Sequence, residues 1–455
     1  METCLAYDGG TLVLTGADKD VLDRIPGCRP DQRSSSHRAE GREYRAIVEY
    51  LRHEKVPYRD EARHWQPADW KLTSTRKPFP HQTEGLQTWW QHDGRGVVVL
   101  PTGTGKTHLA LMAIERAARP ALVITPTIDL LNQWYAEMTA GFGVPVGLIG
   151  GGDYDLQPLT VSTYDSAYLY LERWGNRFGL VVFDECHHLP GPSFLLAAVG
   201  SLAPYRLGLT ATPERADGRH DLLPELIGPI VYRREIRQLA GEFLAEFRIE
   251  RLDVDLSPQD QDSYQEARGI YRRFVEEHRI PLGGPLGWQR FIQVTSRSAE
   301  GRAAFQAYRE QKRLALAAPA KIALLGKLLQ RHRQDRVLIF TYDNATAYQI
   351  ARRFLVPAIT HQTKTKERQL ILKRFHSGEY SIVATSQVLN EGVDVPSANV
   401  GIILSGTGSV REHVQRLGRL LRKQADKQAI LYEVVTRDTA EEFISERRRQ
   451  HHAYR

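Results

Sequence analysis

At 455 residues the chain is too long for one hydrophobic core, and its length predicts about three domains. Hydrophobic residues at 42% and charged residues at 25% are ordinary for a globular protein, and no apolar run approaches the ~18 residues of a membrane span. Cys4, Cys28 and Cys186 are scattered without a CxxC, which argues against a disulfide framework or a cysteine zinc site. METCLAYDGG lacks the layout of a signal peptide, so a cytosolic protein is expected. The formal net charge of +7 fits a polyanion partner without singling one out.

The first ~70 residues are mixed, with Ser34–Ser36 and then Trp65 and Trp70 ahead of Pro78 and Pro80. Past residue 90 short apolar runs recur: Val97–Leu100, Leu122–Ile124, Leu180–Phe183 and Leu207–Leu209. Continuous runs of this kind suit strands buried on both faces of a parallel sheet. Between them His108–Ala118 and Ile128–Met138 carry apolar residues at helical spacing. The rhythm stops at roughly 255–315, a helical stretch divided into two arms by Pro281–Gly287. Its Tyr264, Tyr271 and Phe274 read as core, while Arg268, Arg272, Arg273 and Arg290 are candidates for phosphate contact. A second series of apolar runs follows at Val337–Phe340, Ile382–Ala384, Ile402–Leu404 and Ile430–Tyr432. Alternation that stops and restarts predicts two α/β domains rather than one large sheet. The sequence shows no 20–50-residue repeat and no low-complexity tract.

Four stretches carry chemistry. Leu100-Pro101-Thr102-Gly103-Thr104-Gly105-Lys106-Thr107 follows a strand and opens a helix, the arrangement that surrounds phosphate oxygens with backbone N–H groups. Lys106 would reach the β- and γ-phosphates of ATP and Thr107 would ligate Mg²⁺, although Leu100 stands where the strict pattern has Gly. Asp184 and Glu185 end another buried strand, Asp184 to hold Mg²⁺ and Glu185 to deprotonate the attacking water. The adjacent His187 and His188 either bind a metal or couple the nucleotide to a nucleic-acid site, and coupling is the reading adopted. Thr210-Ala-Thr212 ends a third strand. Gln415, Arg419 and Arg422 open a late helix from which a second domain could deliver arginines to the γ-phosphate, making hydrolysis depend on closure.

LPTGTGKT, TPTIDLLNQW, DECHH, LTATP, VATSQVLNEGVDVP and QRLGRLLR occur in the order of superfamily 2 helicases. More narrowly, LTVSTYDSAY, DGRHDLL, PAITHQT and NEGVDVPSANVGIILSGTGSVRE make the chain resemble the archaeal-type XPB DNA helicases, the xeroderma pigmentosum group B family. The resemblance implies an α/β fold with two RecA-like motor domains, a small N-terminal α+β domain and a helical thumb insertion. It divides the chain into 1–70 (damage-recognition-like), 71–250 (first motor), 251–318 (thumb-like) and 319–455 (second motor). Gln82 matches the adenine-reading glutamine, with Phe79 where the family has Arg, so stacking takes a larger share of base recognition. Thr127, Gln133, Trp134, Ser162 and Thr163 match the nucleic-acid track of the first motor. His361, Thr363, Thr385, Ser386 and Gln387 match the track of the second, and Gly392 and Asp394 match the motif linking track to nucleotide. The family's strand-separating Arg-Glu-Asp reads Arg215-Ala216-Asp217 here, which implies an intact ATPase with weak unwinding.

The resemblance thus points to a cytoplasmic, monomeric 3′→5′ DNA translocase or helicase using ATP and Mg²⁺ in repair or transcription-linked DNA opening, with no membrane association. A nuclease partner is compatible with it. Two other readings stay open: the motor subunit of a restriction-type or helicase–nuclease complex, and a remodelling ATPase that does not translocate. The first would need nuclease carboxylates, and no Asp…Glu-x-Lys cluster stands outside the motor. The second is opposed by the intact QRLGRLLR element.

Overall fold

All eight apolar runs coincide with strands of parallel sheets, Leu100 and Leu404 standing one residue beyond their strand ends. The computed structural model describes the chain outside residues 1, 17–18, 35, 75, 216, 240–242, 244–245, 282–284, 387–397, 406–427 and 450–455. It divides into two compact units, Met1–Arg234 and Glu235–Arg455. Among the described residues, no helix is long and apolar enough to cross a membrane.

The first unit contains two sheets. The smaller has the order β3-β4-β2-β1-β5, built from β1 (Thr3–Asp8), β2 (Thr11–Thr15), β3 (Arg29–Pro30), β4 (His37–Glu40) and β5 (Tyr58–Asp60). The helix Tyr44–His53 buries Tyr44, Ile47, Val48 and Leu51 in one core with Leu5, Leu12 and Leu14. The larger sheet contains β6 (Arg95–Val99), β7 (Ala121–Thr125), β8 (Val146–Gly150) and β9 (Asp153–Tyr154). Its other strands are β10 (Leu159–Thr163), β11 (Leu180–Asp184), β12 (Tyr205–Thr210) and β13 (Ile230–Arg233). The order is β13-β6-β12-β11-β7-β10-β8-β9, parallel throughout except for β9. Helices cover it, so β7, β10 and β11 are buried along their whole length. At about 1.5–3 kcal/mol per buried large apolar side chain, this layer is the main stabilising feature of the unit. Parallel strands also place their following loops on one edge, which is where ligand sites form.

The second unit has one sheet of order β14-β19-β18-β15-β17-β16: β14 (Glu246–Val254), β15 (Val337–Phe340), β16 (Ala358–Ile359), β17 (Ile382–Thr385), β18 (Val400–Ile403) and β19 (Gln428–Thr436). All of its pairings are parallel. β14 crosses the boundary expected at residue 250 and pairs with β19 along its entire length, so residues 246–250 belong with the second sheet. Its sequence EFRIERLDV alternates charged and apolar residues, as suits a half-exposed edge strand, and contains no apolar run.

Between β14 and β15 lie three long helices before Pro319–Arg331: Pro258–Glu277, Pro285–Thr295 and Ala299–Ala317. The two expected arms are therefore three. The extra break falls at Ser298, whose hydroxyl accepts the Gly301 N–H at 2.9 Å and caps the next helix. Tyr264 and Phe274 are core residues, and Tyr271 packs partly buried beside Phe291. Arg272, Arg273 and Arg290 are exposed, and Arg268 donates to Tyr264 Oη at 2.7 Å.

Candidate active site

β6 ends at Val99, and the chain turns through 100–105 into the 12-residue helix Lys106–Ala117. Gly103 and Gly105 hold φ of +87° and +83°, left-handed values that residues with a Cβ rarely adopt. A Cβ on Gly105 would also stand 2.1 Å from Gln82 Nε2. The loop is tied at its start, where Leu100 N–H donates to Thr210 O at the end of β12 (3.0 Å). Within it Thr104 Oγ1 donates to Pro101 O at 2.7 Å, and Lys106 Nζ donates to Leu100 O at 3.1 Å. Backbone N–H groups at a helix N-terminus, with an ammonium group on the same loop, form a phosphate cradle.

β11 lies one strand beyond β12 and delivers Asp184 to the same edge of the sheet. Asp184 is buried; its Oδ2 accepts the indole N–H of Trp134 at 2.7 Å and its Oδ1 accepts Glu185 N–H at 3.0 Å. Burial, with Glu185 alongside, pushes the Asp184 carboxyl up, while the Trp134 bond and the Lys106 charge pull it down. Glu185 sits at φ +45°, ψ +53°, a left-handed conformation that is strained for a residue with a side chain. Its Oε2 is buried with no hydrogen bond among the described residues; His187 Nδ1 stands beside it at 3.5 Å. Thr102 Oγ1 is buried in the same way.

His187 is buried, with Nδ1 at 3.1 Å from Thr210 Oγ1. Its carbonyl accepts Arg215 Nη1 at 2.7 Å, and Arg215 forms a two-point pair with Asp217 at 2.9 and 2.6 Å. Hydrogen bonds from that guanidinium hold the Asp217 carboxyl well below the usual range. The DECHH and Arg215–Asp217 loops are thus joined through His187, an arrangement that fits coupling. Among the described residues no group of three or more His, Cys, Asp or Glu is placed to hold a metal ion.

For the track residues the structure is uneven. Thr127 caps the helix Ile128–Phe142, and Gln133 is partly exposed on it. Trp134, expected on the track, is instead 1% exposed and bonded to Asp184: it supports the carboxylate from beneath and presents no face to a nucleic acid. Ser162 is likewise corrected, since its buried hydroxyl donates to Thr163 O. Thr163 is buried at the end of β10 and caps the next helix through Ser166 N–H. In the second unit His361 is exposed, with Nδ1 2.7 Å from Asn344 Nδ2. Thr363 Oγ1 accepts Thr360 N–H at 2.9 Å, and Thr385 Oγ1 is buried and donates to Ser386 O. Ser386 N–H donates to Ile359 O at 3.2 Å. These hydroxyls fasten strand ends. Ala216, Gln387, Gly392, Asp394, Gln415, Arg419 and Arg422 lie outside the described residues.

Gln82 is fully buried against the loop, its amide bonded to Thr104 O and Gly105 O. His81, which sequence reasoning missed, has Nε2 2.9 Å from Thr104 O. Only its adjacency to Gln82 hinted at such a role.

The residues fit a nucleotide with Mg²⁺. Two left-handed glycines open the cradle, the buried Glu185 Oε2 and Thr102 Oγ1 lack hydrogen bonds among the described residues, and Thr107 and Asp184 offer hard oxygen ligands. Mg²⁺ characteristically takes one or two such protein ligands and completes its shell with phosphate and water.

Three family models match. A model described as Xeroderma pigmentosum group B helicase damage recognition domain covers residues 5–62, and one described as ERCC3/RAD25/XPB C-terminal helicase covers 302–453. A third, Type III restriction enzyme, res subunit, covers 75–215. The chain is 41% identical over 370 residues to the DNA 3′-5′ translocase XPB2 of Sulfurisphaera tokodaii, covering 81% of this chain and 84% of that protein. It is 31% identical to the DNA 3′-5′ helicase XPB of Kineococcus radiotolerans, covering 83% of this chain and 64% of the relative. The helicase domain of Pyrococcus furiosus Hef shares the fold at a TM-score of 0.56 and 19% identity, over 82% of this chain and 98% of that one.

Proposed function

This chain belongs to the XPB family of helicases, and on that premise we propose that it is an ATP-dependent DNA translocase or helicase with two RecA-like motor sheets. The observation that carries the reading is the meeting, on one edge of a parallel sheet, of the Lys106 loop with the Asp184–Glu185 pair, tied through the Leu100–Thr210 bond and the pairing of β12 with β11. The loop N–H groups and Lys106 bind and orient the phosphates of ATP. Thr107 and Asp184 are the residues to hold Mg²⁺, which when bound neutralises phosphate charge. Glu185, held in a left-handed backbone conformation just past the end of β11, orients the attacking water and takes its proton.

The finer assignments are proposals supported by the sequence pattern. Polarity is 3′→5′, in keeping with the two XPB relatives above, and the role is in DNA repair or transcription-linked opening, in keeping with a 26%-identical relative from Danio rerio, the General transcription and DNA repair factor IIH helicase/translocase subunit XPB. Residues 1–70 form a damage-recognition-like domain and the helices Pro258–Ala317 a thumb-like insertion in a cytoplasmic, monomeric protein. Arg419 and Arg422 stabilise the transition state, and Thr127, Gln133 and His361 remain candidates for DNA contact. The restriction-type model spans only the first motor, so it adds no nuclease.

The test is ATP hydrolysis with single-stranded, forked and duplex DNA and with RNA, at several salt concentrations, because phosphate contacts weaken steeply with salt. DNA stimulation is expected, and Lys106→Ala should abolish hydrolysis while leaving duplex binding intact. Hydrolysis indifferent to DNA would return the remodelling reading. With Ala216 in place of the family's Glu, a 3′-tailed duplex should be unwound weakly and Ala216→Glu should improve it. Vigorous unwinding that the substitution leaves unchanged would defeat this assignment.

A further inference from the structure

Of the seven tryptophans, Trp288 alone is exposed, at 47%, and Ile292, one turn further along the helix Pro285–Thr295, is exposed on the same face. A single exposed apolar residue is ordinary. This one belongs to a ring cluster that opens on a groove. Trp288 stacks on the buried Phe291 at 5.4 Å and 29° and meets Tyr308 at 5.0 Å and 47°.

The groove has a volume of about 690 Å³, within the range of ligand sites. Trp288, Phe305 and Tyr308 line it from the thumb-like helices, and Tyr342 and Gln349 line it from the turn after β15 and the helix Asn344–Phe354. Lys312 joins the two sides. Its Nζ donates to Tyr342 Oη at 2.8 Å and to Tyr308 Oη at 3.2 Å, and stands 3.9 Å from the centroid of the Tyr342 ring. The carboxylates of the lining are engaged: Glu310 pairs with Arg313 at 2.6 and 2.9 Å, and Asp343 accepts Thr346 N–H at 2.8 Å. Arg309 and Lys312 have no acidic partner among the described residues, and Arg309 is exposed. Preset rings beside uncompensated cations suit a nucleobase with its phosphate. The lining also adjoins a residue already proposed for DNA contact: Asn344, next after Asp343, has its Nδ2 2.7 Å from His361 Nδ1.

We infer that this groove takes one unpaired base of the DNA, stacked on Trp288 and Tyr308, with Arg309 on the adjoining phosphate. The inference rests on the DNA-translocase reading above and sharpens its substrate to strands with unpaired bases. A base inside a duplex is held by its pair and its neighbours and cannot enter without leaving the stack.

The test titrates the full chain, without nucleotide, with a thymidine oligomer, the same backbone made abasic throughout, and a blunt duplex. Trp288→Ala should weaken binding of the thymidine oligomer by about tenfold, the order expected for one stacked base, and leave the abasic and duplex affinities unchanged. Its salt dependence should match the wild type, since no phosphate contact is lost, whereas Arg309→Gln should reduce the salt dependence and weaken both single strands. Trp288→Phe keeps a ring, so it should bind the thymidine oligomer nearly as well as the wild type while losing the quenching of tryptophan emission that the oligomer causes. Unchanged thymidine affinity in Trp288→Ala overturns the inference and leaves the groove to a protein partner. Equal loss with all three DNAs overturns it as well, by making Trp288 a support of the thumb-like helices. Should Trp288→Ala fail to fold in a thermal melt, Trp288→Phe decides: quenching equal to that of the wild type defeats the stack. A wild type that binds none of the three DNAs defeats the DNA reading itself, and the groove's role with it.

Discussion

Trp134 shows how a residue's neighbours alter its meaning. Its indole N–H reaches Asp184 Oδ2 at 2.7 Å inside a fully buried setting, so the bond steadies a carboxylate that burial destabilises. Trp134→Phe preserves most of the ring volume and removes the donor, and an unsatisfied buried acceptor costs about 1–3 kcal/mol. We expect kcat for ATP to fall by roughly tenfold or more while DNA affinity holds, measured by steady-state hydrolysis and by DNA titration without nucleotide. A variant that loses DNA affinity and keeps kcat would put Trp134 back on the track. The motif stretches were legible because their chemistry is local: Lys106 and Thr107 open the helix that follows β6, and Asp184 and Glu185 stand at the end of β11, both strands marked by apolar runs. The Trp134–Asp184 bond spans 50 residues of sequence, and nothing in TPTIDLLNQW indicates which side chain faces inward.

At the scale of elements, the segment after β5 is a strap that ties the small sheet to the large one within the first unit. Ala62 and Trp65 complete the small core, into which Leu202 projects from beside β12. Asn176 Nδ2 donates to Ala62 O at 2.9 Å, and the main-chain O of Asn176 accepts His64 N–H at 2.8 Å. Further along, Trp70 Nε1 donates to Arg119 O at 2.7 Å and Thr73 N–H to Gly141 O at 2.8 Å. Tyr7 Oη bridges to Leu171 O and Gly200 O, each at 3.0 Å. Trp65→Ala opens a cavity worth about 3–5 kcal/mol. It should therefore loosen residues 3–60 to protease or hydrogen exchange, yet leave mant-ADP binding at the P-loop unchanged. Equal protection of the small sheet in both proteins would show that the strap is not what secures it. The two tryptophans were visible in the sequence as isolated aromatics, but a strap has no periodicity, so their partners were not. β10 escaped for another reason: LTVST buries Thr160, Ser162 and Thr163, hydroxyls whose local hydrogen bonds let polar residues pass as core.

For the whole molecule, two compact units imply two stability transitions that different perturbations should move separately. In the second unit Lys321 is fully buried; its Nζ donates to Leu404 O at 2.7 Å, to Val434 O at 2.9 Å and to Glu441. Glu441 also accepts Thr436 N–H at 2.9 Å, so this one pair knits β18, β19 and the final helix Ala440–Arg449. Removing one partner of a buried ion pair strands the other and typically costs about 3–5 kcal/mol. Lys321→Ala should therefore lower one calorimetric transition by several degrees. ADP at about a hundred times its Kd adds roughly 2.7 kcal/mol to whatever binds it. Since the phosphate cradle lies wholly within Met1–Arg234, ADP should raise the other transition and leave the Lys321-sensitive one in place. The combination of variant and ligand then widens the gap between the two peaks beyond what either does alone. A single peak that shifts with both would mean that the chain unfolds as one cooperative body, and that binding energy gathered at the P-loop is shared by the sheet that carries β14–β19.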